Sequence, residues 1–512
     1  MNYLIGTDIG TSGTKSIVMS TEGKLISQDL QEYDLITPRP LWAEQWPDVW
    51  VDAAFRSIHN AMKKANINPS DVKGICVSSL YGGSGIPVDA KIKPLRPCLI
   101  WMDRRAQSQE EWVKKNIDAE RLYTITHNGT DPYYGYLKIL WIKDNEPEIW
   151  KKTKLFLTPN SYCIYKMTGE IAIDYTSAGN IGGIFDIEKR CWSDEMLNAM
   201  NIPKSMMPNR LVESSDIVGT LTEKAAKELG LTAGTPVCAG GIDCVVATLG
   251  LGVFEPGSYA AAIGTSMCAA LVHDKPIASK GLIEMPYVKD ARKLSYSFGG
   301  GATAGALIKW FRNNFAELEM QEEKQNGKNA YDLLNDEAEK LSPGSDGIVI
   351  LPYFMGERSP IWDTNAKGVV FGLSLTHTKA HVYRAFLEAV AYNLRQTMES
   401  TGTDLGDSIL LAGGVTKSKL WKQIFADVTG YSVICPKEDV EANLGDVILA
   451  GVGTCQFTYK DIINWQVLDD KITPNPENHE LYNRYYAIYQ SLYKNLKSDM
   501  VALTNINQMT IK

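Results

Sequence analysis

Two stretches of this chain, one at its start and one past its middle, repeat the same short plan. In the first, apolar Tyr3-Leu4-Ile5-Gly6 runs up to Asp8, Gly10-Thr11-Ser12-Gly13 turns the chain, and Ser16-Ile17-Val18-Met19 is apolar again. In the second, Ser258-Tyr259-Ala260-Ala261-Ala262-Ile263 leads into Gly264-Thr265-Ser266 and then Met267-Cys268-Ala269-Ala270-Leu271. An apolar run, a glycine turn and a second apolar run read as a β-hairpin. Recurrence of that unit predicts two halves on one plan, and 512 residues exceed what a single core organises. The boundary is expected at 247–257, where Thr248-Leu249-Gly250 runs into Glu255-Pro256-Gly257. The expected division is an N-terminal domain over 1–250, a C-terminal domain over 251–460 and a helical tail over 461–512.

The first half continues with a turn at Thr21-Glu22-Gly23 and a third strand at Lys24-Leu25-Ile26. Val49, Val51, Ala54, Ile58 and Met62 recur near helical spacing and predict a helix over 46–64. Val72 to Val77 then reads as a buried strand. Three antiparallel strands, a helix and a strand resemble the start of a ribonuclease-H-like half. The fold class expected is therefore α/β, two such domains of the actin-like ATPase kind around a central cleft.

Composition narrows the function. Hydrophobic residues at 44% and charged residues at 22% fit an ordinary globular protein. Net charge is −8 with no basic block, so nucleic acid is not an expected partner. No run of about 18 apolar residues suggests a membrane span. The start, Met1-Asn2-Tyr3, lacks the basic and small-residue marks of a signal peptide. Nine scattered cysteines without a C-x-x-C pair suit free thiols in a reducing cytoplasm rather than disulfides or zinc. Pairing of two copies into a homodimer is left open.

Asp8-Ile9-Gly10-Thr11-Ser12-Gly13-Thr14-Lys15 brings backbone N–H groups and hydroxyls up to an anion. A P-loop is rejected, because Thr14 separates Lys15 from the last glycine and the following segment is strand-like. A hairpin phosphate clamp remains, with Asp8 suited to hold Mg²⁺ through water; a plain hairpin turn is the alternative. In Ala239-Gly240-Gly241-Ile242-Asp243 a strand and a glycine pair deliver a carboxylate. Phosphoryl transfer to a hydroxyl needs one positioned base; the competing reading is that Asp243 caps the helix starting at Cys244. Phe298-Gly299-Gly300-Gly301 opens a further helix, and Ile409-Leu410-Leu411-Ala412-Gly413-Gly414 ends a strand before a helix carrying Trp421, Ile424 and Phe425. Either glycine set accommodates a nucleotide, or simply lets a strand and helix pack closely.

Trp101-Met102-Asp103-Arg104-Arg105 gathers an aromatic, a carboxylate and two guanidiniums, a set suited to polyol hydroxyls or to a surface ion-pair cluster. His377 and His381, four apart, read as surface residues at a helix entry, not as metal ligands.

Together these segments resemble the FGGY family of carbohydrate kinases, most of all its xylulokinase-like branch. The resemblance extends in order from Tyr3 to about Gly453. It runs through Leu41-Trp42-Ala43-Glu44-Gln45, then Leu137-Lys138-Ile139-Leu140-Trp141 with Glu146-Pro147-Glu148, then Leu351-Pro352-Tyr353 with Gly356-Glu357-Arg358-Ser359-Pro360. Gly368 to Gly372 and the helix with Arg384 and Glu388 complete it. The resemblance implies ATP and Mg²⁺ as cofactors and a small sugar as partner. It assigns Asp243 as catalytic base and Asp8 near the metal. Thr11, Ser12 and Lys15 fall to the first phosphate loop, Gly264 and Thr265 to the second, and Gly301, Gly413, Gly414 and Asn443 to the nucleotide. Trp101, Asp103, Arg105, Tyr81 and Gly82 fall to the sugar pocket.

Two departures bear on the sugar. Xylulokinases carry Gln-Met-His-Gly where this chain has Leu80-Tyr81-Gly82-Gly83-Ser84, and Gly-Gly-Asp-Asn where it has Gly241-Ile242-Asp243-Cys244. The expected reaction is transfer from ATP to a pentulose such as xylulose. The alternatives are glycerol, gluconate or a four-carbon polyol as acceptor, and an actin- or Hsp70-like ATPase switch.

Overall fold

The computed structural model describes residues 1–275, 277, 279–403, 405–437, 442–463, 465, 467–469 and 471–510. The chain opens with β1 (Tyr3–Ile9), β2 (Gly13–Ser20) and β3 (Leu25–Glu32), followed by helix α1 (Pro47–Ala65) and β4 (Val72–Ser79). Pro47 starts α1 where its missing N–H costs nothing, Asp48 lies in its first turn, and Asn66 in the left-handed region ends it. Strands β5 (Ile217–Thr220) and β6 (Pro236–Cys238) complete a first sheet in the order β5-β6-β4-β1-β2-β3. Its first three strands are antiparallel, while β1, β4 and β6 run parallel. Helix α2 (Asp243–Gly250) follows directly.

The second lobe repeats the plan. Strands β7 (Tyr259–Ile263), β8 (Met267–His273), β9 (Ile283–Pro286) and β10 (Ser295–Gly299) precede helices α3 (Gly305–Phe315) and α4 (Lys379–Glu399). Then come β11 (Ser408–Gly413), α5 (Lys419–Thr429) and β12 (Ser432–Ile434). The sheet order is β9-β10-β8-β7-β11-β12, with β7, β11 and β12 parallel and β7, β8 and β10 antiparallel. Strands β7 and β8 thus correspond to β1 and β2, and β11 to β4. The match of the two glycine turns reflects this shared topology.

Two elements cross the expected division. Helix α6 (Ala442–Gly453) lies against β1, β4 and α2 of the first lobe, so a segment late in the chain packs on the first sheet. Helix α7 (Pro476–Thr510) lies in the segment expected as a helical tail. Its Tyr482, Tyr486 and Tyr489 are buried in the core of the second lobe with α4 and α5. A buried polar network fastens it: Glu388 accepts from Arg384 at 2.9 Å, from Tyr482 Oη at 2.8 Å and from Ser345 Oγ at 2.9 Å.

His381 also differs from expectation. It is 8% exposed and forms a capping box with Thr378 at the start of α4, while its other ring nitrogen faces Asp346 at 3.2 Å. Its work is at the helix end, where the first N–H groups lack partners. All nine thiols are free. Among the described residues no helix is long and apolar enough to cross a membrane.

Candidate active site

The candidate residues of both lobes lie at or just beyond the ends of strands. From the first sheet, β1 delivers Asp8 and the turn of Gly10, Thr11 and Ser12, β4 delivers Tyr81, and β6 leads to Asp243. From the second, β7 ends in Gly264 and Thr265, β10 in Gly301, and β11 in Gly413 and Gly414. Crevices beyond the carboxyl ends of parallel strands are where such sheets take ligands.

The first loop closes through Gly10 N donating to Gly13 O at 2.9 Å, and Tyr33 Oη steadies it by donating to Gly10 O at 2.7 Å. Ser12 is exposed, and Thr11 and Lys15 are half-buried. In the second loop Gly264 and Thr265 are exposed, and their carbonyls accept from Gly305, Ala304 and Ala306 at the start of α3. Gly300 packs so closely on Met267 O that a side chain has no room. Gly413 has φ of +87°, and a Cβ there would lie 2.6 Å from Ile263 O. The backbone in both places is therefore bare by necessity, which leaves a flat wall for a ring.

Glu357 underpins that wall. Its carboxylate accepts from Ala302 N, Arg358 N and Asn393 Nδ2, each at 2.7 Å, and burial pushes its pKa up to about 7.

Asp243 is the first residue of α2 and does not act as its cap. Its Oδ1 accepts from the adjacent Cys244 N at 2.6 Å. Burial first, and then the charge of Asp8, raise its pKa to about 8, against a smaller opposing pull from the Cys244 N–H. Asp8 is joined to a further acid that the sequence reading missed. Ser78 Oγ lies 3.1 Å from Asp8 Oδ1 and 2.8 Å from Asp446 Oδ2. Burial, then Asp8, push the Asp446 carboxyl well above the usual carboxylate range. The signal for Asp446 was its place as a lone acid in the apolar run of α6.

Acids gathered this way fit a divalent cation. Among the described residues no three His, Cys, Asp or Glu side chains converge as a chelating set. Magnesium keeps waters and takes one or two carboxylates plus phosphate oxygens.

The proposed sugar residues divide. Trp101 borders the cleft, its Nε1 donating to Thr11 Oγ1 at 3.1 Å, with the Arg358 guanidinium of the other lobe 5.8 Å from its ring centre. Asp103 and Arg105 instead lie behind it. Asp103 has no exposed surface and accepts from Ala43 N at 2.7 Å and from Arg105 Nη2 at 2.7 Å. The Arg105 guanidinium lies 3.6 Å over the Trp42 ring and reaches Glu44 at 2.8 Å. These two hold the pocket's frame and offer nothing to a ligand.

Gly82 is likewise buried, pressed on Pro159. The Tyr81 hydroxyl accepts from Gly135 N at 2.5 Å, and its ring packs 5.0 Å from Tyr133. Asn443 is 2% exposed and donates to Lys15 O at 2.8 Å and to Gly6 O at 3.3 Å, so it braces the first hairpin rather than facing Gly413. Beside Tyr81 the structure adds Tyr133, with Trp362 6.1 Å from it, and Arg104 paired with Asp131.

Two lobes built on one sheet plan, each with a glycine turn after its first strand, define the ribonuclease-H-like fold of the actin-like ATPase class. Residues 3–250 match the model of the FGGY family of carbohydrate kinases, N-terminal domain, and residues 259–454 match its C-terminal domain. The chain belongs to the FGGY family of carbohydrate kinases. It is 31% identical to a xylulose kinase of Staphylococcus epidermidis over 98% of this chain and 99% of that protein. It is 29% identical to a gluconokinase of Bacillus licheniformis over 98% of each. The crystal structure of gluconate kinase from Lactobacillus acidophilus superposes with a TM-score of 0.90 at 25% identity, covering 98% of this chain and 99% of that one. Membership replaces the ATPase-switch alternative: the enzyme is a sugar kinase.

Proposed function

We propose that this kinase transfers the γ-phosphoryl group of ATP to a terminal hydroxyl of a pentulose, with Asp243 as the general base. The observation that carries the reading is the Asp243 carboxylate at the mouth of α2, held by one backbone N–H and lying in the field of Asp8. Its free oxygen accepts the hydroxyl proton as the oxygen attacks phosphorus in line. Thr11, Ser12 and Lys15 on one side and Gly264 and Thr265 on the other bind the phosphates and orient the terminal one. Gly301, Gly413 and Gly414 receive the nucleoside. Asp8 would hold magnesium through water, and the ion would supply neutralisation of phosphate charge there. Trp101 and Tyr133 supply the apolar wall against which a sugar stacks, while Arg104, Asp131 and Arg358 supply polar contacts.

Lobe closure keeps water from taking the phosphoryl group. The acceptor is a small, freely diffusing molecule, and the absence of a basic surface block speaks against a nucleic-acid substrate.

A second reading, a six-carbon sugar acid such as gluconate, is favoured by the guanidiniums of Arg358 and Arg104 beside Trp101 and Tyr133. Coupled detection of ADP with xylulose, ribulose, gluconate, erythritol and glycerol separates the two. The largest kcat/KM is expected with a pentulose, a maximum with gluconate selects the second reading, and no rise with any acceptor sinks both.

The base also fixes the pH profile. Asp243 works only when ionised, and its pKa is raised to about 8. The value of kcat/KM should therefore fall on the acid side, pass through half its maximum near pH 8 and level off above that. A profile flat between pH 5 and the plateau, with slope near zero, contradicts this role for the residue.

A further inference from the structure

Asp446 is an expensive residue. It sits in the middle of α6, among Val447, Ile448, Leu449 and Ala450, with no exposed surface. Its Oδ1 has no N–H or O–H partner among the described residues, and only the weakly donating Cys76 thiol of β4 lies against the carboxyl. A buried carboxylate with an orphaned oxygen is costly, and an apolar residue of similar size would pack there without that penalty.

Its contact with Ser78 leads to the active site. Ser78 Oγ, on β4, is 2.8 Å from Asp446 Oδ2 and 3.1 Å from Asp8 Oδ1. Asp8 and Ser78 are direct neighbours in the parallel pairing of β1 and β4. Helix α6 presses on β1 so closely that a side chain at Gly6 would meet Asn443 O and Asp446 Cβ. The helix and the two strands thus fix the spacing of the three oxygens. Ser78 has one proton to give, so one of its two contacts needs a hydrogen from the other side. A group at position 446 that supplies it turns the Ser78 O–H toward Asp8.

We infer that Asp446, acting through the Ser78 hydroxyl, is a positioning residue that fixes the Asp8 carboxylate in the orientation that receives the nucleotide-bound divalent cation. The inference rests on the phosphotransfer reading of Asp8. Partners of this kind, one bond removed from the ligand, orient the ligating oxygen and hold its charge in place. Asp446 touches neither metal nor sugar in this account. Its effect is confined to what Asp8 does.

The test titrates Mn²⁺ into the full-length protein with ADP, following the free ion by electron paramagnetic resonance, and separately measures ADP binding without metal. Asp446→Ala and Ser78→Ala should each weaken Mn²⁺ binding roughly 10–100-fold while metal-free ADP binding stays within about twofold of wild type, a margin set by leaving the phosphate loops intact. Asp446→Asn, whose amide N–H can donate to Ser78 Oγ, should restore most of the metal affinity. The Tm of Asp446→Ala should be at or above wild type, since the orphaned oxygen is gone. If Asp446→Ala fails to fold, Ser78→Ala with a wild-type Tm decides the matter.

Unchanged Mn²⁺ affinity in a folded Ala variant overturns the inference, as does an equal loss of metal-free ADP binding, which marks a role in the fold alone. Wild-type protein that binds ADP but no Mn²⁺ is a different failure: it removes the metal role of Asp8 and the phosphotransfer reading with it.

Discussion

Asp243→Asn is expected to lower kcat by at least ~10²–10⁴-fold, the usual contribution of a positioned general base. The substitution keeps the shape of the side chain and the contact with Cys244 N, now 2.6 Å from Oδ1. It removes the lone pair that takes the hydroxyl proton. The phosphate loops and the glycine wall are untouched, so affinity for ADP measured by calorimetry should remain close to wild type. The variant should also lose the ascending limb of the pH profile, because the group that titrates near 8 is gone. Affinity for ADP can rise slightly, since a charge that faces Asp8 and the phosphates has been neutralised. Full turnover in the Asn variant would remove Asp243 from the role of base. A parallel loss of ADP affinity would instead mean that Asp243 shapes the nucleotide site.

The part of this site that was legible in sequence is the part made by local backbone. Gly10 and Gly264 each follow an apolar strand, and a tight turn after a strand leaves its mark in a few neighbouring residues. Asp243 was legible for the same reason, as an acid following a strand and two glycines. What failed to show was long-range. Asp446 is separated from Ser78 by 368 positions, and nothing near either residue announces the other. Asn443 sits beside the first hairpin because α6 crosses to the first sheet, whereas the family resemblance assigned it to the nucleotide. The tyrosines of α7 carried no chemical signal because their role is packing against α4, which no local pattern reports. Asp103 and Arg105 were misleading in another way. A carboxylate and a guanidinium suit a sugar hydroxyl or each other equally well, and only burial tells which.

That ambiguity makes Asp103 a sharp case. Removing it by Asp103→Ala is expected to destabilise the protein by about 3–5 kcal/mol, the range for breaking a buried ion pair from one side. Asp103 accepts from Ala43 N, Arg105 N, Arg105 Nε and Arg105 Nη2, all between 2.7 and 3.1 Å. Without it, Arg105, whose side chain is 2% exposed, keeps only Glu44 as an anionic partner, and Arg96 already claims Glu44 at 3.0 Å. Stacking on Trp42 does not compensate, being worth about 2 kcal/mol even when desolvated. The strand pairing of Glu44 and Gln45 with Leu99 and Cys98 would loosen next, since Ala43 N loses its acceptor in the same stroke. Thermal denaturation should show the first transition moved several degrees down, while KM for the acceptor at a temperature below that transition stays near wild type. The opposite pattern, an unchanged Tm with a sharply raised KM, would mean that the carboxylate turns out of its buried frame to meet the sugar.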